Sequence, residues 1–76
     1  MLSMPETTTE IANRVRGVAA EKRFTQQRIA SELKLARSSV SLRISGAVPF
    51  TGTELATLAM VMDVPVSRFF PEKVGA

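Results

Sequence analysis

Few residues of this chain carry side chains that can do chemistry, and their spacing limits what that chemistry is. Ser31 and Lys34 stand in the order Ser-x-x-Lys used by some acyl-transfer enzymes. Here they span one helical turn with no pocket to house a substrate, and the spacing is read as coincidence. The sequence holds no histidine and no cysteine. That removes most zinc sites, most nucleophile–base pairs and any disulfide framework. The carboxylates are not clustered either, so neither an enzyme nor a bound metal or cofactor is expected. What remains is residues 35–46, LARSSVSLRISG, where Arg37 is followed by the short hydroxyls Ser38, Ser39 and Ser41. A guanidinium beside small donors and acceptors suits the binding of polar edges or anions.

That stretch has the look of a short helix that opens badly. Ala36 stands where a capping Ser, Thr, Asp or Asn is normal, and such a cap is worth about 1 kcal/mol. Arg37 then places a cation in the first turn, against the helix dipole. Charge is concentrated in the same region. Of the net charge of +3, residues 1–24 contribute +1, residues 25–46 contribute +3 and residues 47–76 contribute −1. The plain reading is a solvated face; the sharper one is a polyanionic partner.

The elements that must position these residues follow from the apolar pattern. A 76-residue chain that is 45% hydrophobic makes one small domain with a single modest core. No apolar run approaches the ~18 residues of a spanning helix. MLSMPETTTE has neither a basic flank nor an apolar segment, so no signal peptide and a cytoplasmic, nucleoid-associated location are expected. Thr7 and Glu10 have capping-box spacing, ahead of an apolar stripe at Ile11, Val15, Val18 and Ala19. Thr25 can cap a second helix with Ile29, Ala30 and Leu33 inward. Val40 and Ile44 give the third its stripe, and Gly46 stops it. Thr51 to Glu54 is a second capping box before Leu55, Leu58, Ala59 and Met62. Val64-Pro65 ends that helix and leads to a last short one with Phe69 and Phe70. No alternation reads as a strand. The expectation is all-α, five short helices, in a domain spanning 7–71 with flexible ends at 1–6 and 72–76.

Two helices joined by three or four residues, with a small inward Ala30 in the first, match the helix-turn-helix pattern. The strings FTQQRIASELKLARSSVS and FTGTELATLAMVMDVPVSRFF resemble the phage-repressor and Cro-like family, often called XRE-like, over residues 8–71. RISGAVPFTGTEL is similar to a compact variant common in actinobacteria and their phages. The resemblance implies a lambda-repressor-like fold with the helix-turn-helix at helices 2 and 3. Two positions depart from the pattern. Lys34 replaces the usual turn Gly, at about 1 kcal/mol. Arg43 replaces an apolar residue, so a slight rotation of the third helix that buries Ile44 is expected. The loop at Ala47-Val48-Pro49-Phe50 lacks the basic residues many relatives set against phosphates.

The resemblance also implies roles. In this family the third helix enters the major groove of double-stranded DNA by its N-terminal end. Side chains there serve contact before helix stability, which answers the poor opening. Arg37 would meet guanine O6 and N7, with Ser38, Ser41 and Leu42 as further base contacts and Leu42 facing a thymine methyl. Thr25, Gln26, Gln27, Lys34, Ser39 and Arg43 would face the DNA backbone. Ser38 and Ser39 are alternatively caps, and Arg43 alternatively pairs with Glu32 or Glu54. Arg14 and Arg16 read as surface residues, and Met60 and Met62 as core or interface fillers.

Phe69 and Phe70 cannot both point inward from one short helix. With Val64 and Val66 they form an expected homodimer patch, as several relatives dimerise there, and DNA with two half-sites about one turn apart would suit it. The expected function is a Cro- or repressor-like transcriptional regulator of a phage or mobile element, without a small-molecule effector. The alternative is a protein-interaction module, an antitoxin or adaptor, that uses the aromatic C-terminal helix.

Overall fold

The computed structural model describes residues 4–71. Four α-helices are followed by one 3-10 helix: α1 (Met4–Glu21), α2 (Gln26–Leu33), α3 (Arg37–Ile44), α4 (Gly52–Met62) and Val66–Phe69. No described residue lies in a strand. The all-helical class and the order of five elements agree with the pattern in the sequence, with a 3-10 turn as the fifth.

The first helix corrects the sequence reading. It is already running at Met4 and extends over 18 residues, so Thr7 lies inside it and is no cap. Pro5 sits in the first turn, where its missing N–H would have had no intrahelical acceptor. The expected flexible ends at 1–6 and 72–76 lie partly or wholly outside the described residues. Thr51 and Glu54, by contrast, form a complete capping box. The Thr51 hydroxyl accepts the Glu54 N–H at 3.1 Å, and Glu54 Oε1 accepts the Thr51 N–H at 3.0 Å.

Every element turns its apolar stripe to one core. Val15, Val18 and Ala19 of α1 meet Ile29 and Ala30 of α2, Val40 and Ile44 of α3, and Leu55, Leu58, Ala59 and Met62 of α4, closed by Phe69. The described residues bury no polar or charged side chain. α1 packs on α3 and on the 3-10 helix, while α2 packs on α3 and α4. α3 thus rests on helices to either side and keeps an outer face.

Three of the helices end in one way. Arg23, Lys34 and Asp63 each take the left-handed conformation, with φ of 62°, 59° and 61°. The next residue, Phe24, Leu35 or Val64, then donates its N–H to a carbonyl five residues back, on Ala19, Ala30 or Ala59. This is the Schellman arrangement, and each of those apolar residues packs against the core. It is normally closed by glycine, because a side chain in this region costs about 1–2 kcal/mol. Lys34 is the turn residue of the helix-turn-helix, and it accepts this conformation without the expected Gly.

Candidate nucleic-acid interface

The N-terminus of α2 is capped by Thr25, whose hydroxyl accepts the Arg28 N–H at 3.0 Å. The first-turn N–H groups of Gln26 and Gln27 have no intrahelical acceptor and give this end its positive potential. Thr25 and Gln27 are exposed and Gln26 is half-buried. Arg28 turns aside: its guanidinium stacks over the Phe24 ring, 4.4 Å from the centroid, and pairs with Glu32 at 3.1 Å.

α3 starts as poorly as its sequence suggests. Ala36 is the N-cap and makes no side-chain bond, so neither Ser38 nor Ser39 acts as the cap and Arg37 is the first helical residue. The helix keeps its place by packing instead. Val40 and Ile44, four residues apart, are buried, while Arg37, Ser38, Ser41 and Leu42 are exposed. Arg37 Nη1 lies 3.5 Å from Gln27 Oε1, at the outer limit of a hydrogen bond. The N-terminal ends of α2 and α3 therefore open on the same side. Thr25 and Gln27 at the first end and Arg37, Ser38, Ser41 and Leu42 on the second helix are the exposed side chains there, polar but for Leu42.

Arg43 does not join them. Its Nε donates to Glu54 Oε1 at 2.9 Å and its Nη1 to the Ser39 carbonyl at 3.1 Å, with both charged side chains only 16% exposed. Of the two carboxylates weighed against a phosphate for Arg43, Glu54 is the one it pairs with. Ile44, the next residue, is buried. Ser39 is half-buried, so its side chain has less access than those of Ser38 and Ser41. Lys34 is exposed at the turn, and like Arg37 it has no ion pair among the described residues.

One anchoring residue escaped the sequence. Arg16, read as a surface residue, donates from Nη1 to the Ile44 carbonyl at 2.8 Å, and its Nη2 meets Asn13 Oδ1. The bond joins residues 28 positions apart, so no local pattern announces it.

In α4 and the segment after it, Val66 and Phe70 are about two-fifths exposed and Met60 far more so. Val64 is half-buried against the core. Phe69 is fully buried and leaves the expected dimer patch; Phe70 is the aromatic that faces out.

No protein-family model matches the chain, and none of the curated proteins does. Among solved structures, the chain is similar to the restriction-modification controller protein C.AhdI from Aeromonas hydrophila, with a TM-score of 0.74 and 22% identity. The match covers 83% of this chain and 96% of that one. The all-helical arrangement with α2 and α3 as a helix-turn-helix is therefore one that a controller protein also uses, and the resemblance seen in the sequence holds at the level of the fold. No helix among the described residues is long and apolar enough to cross a membrane.

Proposed function

We propose that the chain binds double-stranded DNA in a sequence-specific way and regulates transcription, with α3 as its major-groove helix. One observation carries this reading. α3 is locked by its inner face and leaves Arg37, Ser38, Ser41 and Leu42 outward, beside the open N-terminus of α2. That arrangement offers base-reading side chains and phosphate-facing N–H groups on one side of a rigid pair of helices. The similarity of fold to a controller protein supports the same reading. Thr25, Gln26, Gln27 and Lys34 are the backbone contacts in this account, with Ser39 contributing little. The action would be occlusion of a promoter or operator, in the manner of a small phage or mobile-element repressor.

The reader of a full operator is a homodimer. One eight-residue helix spans only a few base pairs, so useful specificity needs two half-sites about one helical turn apart. Val66 and Phe70, with Met60 near the end of α4, supply the exposed apolar side chains for self-association. Selection from a random duplex DNA library at about 150 mM salt tests the proposal, because weak non-specific contacts are suppressed there. Enrichment of two half-sites about 10 bp apart is the expected result. The absence of any enriched sequence overturns it and favours the protein-interaction alternative.

A further inference from the structure

We propose that Leu42 makes DNA recognition depend on the C5-methyl group of a pyrimidine, so that thymine and 5-methylcytosine are read alike and cytosine methylation raises affinity. The proposal rests on the reading of α3 as a major-groove helix. Leu42 is 49% exposed on an outer face otherwise made of Arg37, Ser38 and Ser41. The other large apolar side chains exposed among the described residues, Met60, Val66 and Phe70, belong to α4 and the segment after it. Leu42 lies one turn beyond Ser38 and is set apart from that group.

Its position is also fixed from behind. The Leu42 carbonyl accepts three bonds, from the Ala47 N–H at 2.9 Å, the Val48 N–H at 3.2 Å and the Ser45 hydroxyl at 3.0 Å. The loop after α3 folds back onto this carbonyl, so the backbone that carries the side chain is held in place. The apolar group on the major-groove edge of a natural base pair is the thymine C5-methyl, and the remaining edge groups are donors and acceptors. An isobutyl side chain offers none of the hydrogen bonds those groups require. It gains by covering a methyl, and 5-methylcytosine carries that methyl on the same ring carbon.

The test uses the selected operator, with each thymine replaced in turn by deoxyuridine and the methyl-sensitive position rebuilt as cytosine or 5-methylcytosine. Both comparisons change one methyl without altering the base pair. For the wild type, deoxyuridine at one position per half-site should weaken binding about three- to five-fold, the worth of one methyl group removed from water. At that position 5-methylcytosine should bind more tightly than cytosine by a similar factor. Leu42→Ala, which keeps a good helix former at an exposed site, should bind all four duplexes without methyl discrimination. If no thymine is sensitive, or if Leu42→Ala discriminates as the wild type does, the proposal is overturned while DNA reading by α3 stands. If no operator is selected at all, the underlying reading fails first.

Discussion

Arg16 of α1 reaches across the domain and places its Nη1 2.8 Å from the carbonyl of Ile44, the last residue of α3. The contact sets a cation at the C-terminus of a helix whose N-terminus has no side-chain cap. It satisfies a carbonyl that the helix leaves open and complements the dipole there. Arg16→Met should therefore lower unfolding free energy by about 1 kcal/mol in urea titration. It should also weaken specific DNA binding more than the equivalent change at exposed Arg14, because the seating of α3 is lost while charge falls equally in both.

The Arg43–Glu54 pair ties α3 to the capping box of α4, since Glu54 Oε1 accepts from both Arg43 and the Thr51 N–H. Glu54→Ala removes the pair and one arm of the box, and a loss of about 2 kcal/mol is expected. A double-mutant cycle with Arg43→Met should return a coupling energy of about 1 kcal/mol. Arg43 touches no phosphate in this account, so Arg43→Met should leave the salt dependence of DNA binding unchanged. Lys34→Ala should reduce that slope by about 1.

Lys34 holds a left-handed turn conformation that glycine adopts without strain. Lys34→Gly should raise stability by about 0.5–1 kcal/mol, the relief of strain offset in part by greater freedom of the unfolded chain. Its effect on DNA affinity should equal that of Lys34→Ala, since both remove the same charge. Thermal unfolding and a binding titration separate the two contributions.

The pair of adjacent aromatics divides its work. Phe69 is fully buried, and Phe69→Ala should cost about 3–5 kcal/mol, enough to unfold much of the population. Phe70→Ala should leave the fold of the monomer nearly unchanged and shift the monomer–dimer equilibrium toward monomer. Sedimentation at several concentrations reads that shift.

Acid should weaken the contact between Arg68 and Glu21. Arg68 Nη2 lies 2.9 Å from Glu21 Oε1, tying the 3-10 helix to α1. The hydrogen bond and charge of Arg68 hold the Glu21 carboxyl below its ordinary value of 4.5. A carboxyl lowered in this way adds stability above its unfolded value and loses it as pH falls through its folded one. The contribution should be present at neutral pH, fade below about pH 4.5 and vanish in Arg68→Ala. The sequence has no histidine, so little change is expected between about pH 6 and 8.

How far the sequence could be read depended on the range of each interaction. The apolar stripes, the Thr25 and Thr51 caps and the stop at Gly46 are local, and all are in place. The capping box at Thr7 failed because the same spacing can occur inside a helix that has already begun. Arg43 was ambiguous, as its partner lies 11 residues on, beyond a turn whose path no local rule sets. Arg16 was missed because its acceptor is a main-chain carbonyl, which every residue has. The outward face of α3 was legible in part: buried Val40 and Ile44, four residues apart, leave Arg37, Ser38, Ser41 and Leu42 exposed, whereas Ser39 and Arg43 are half-buried.

The most direct measurement is the ratio of specific to non-specific affinity for the wild type and Arg37→Ala, with Arg14→Ala as the charge-matched control. Each protein is titrated at about 150 mM salt against the selected operator and a scrambled duplex of equal length. The account predicts that Arg37→Ala lowers the ratio by at least about tenfold, the worth of one bidentate base contact, while Arg14→Ala leaves it near the wild-type value. Equal ratios for all three proteins would contradict the assignment of α3 as the helix that reads the bases.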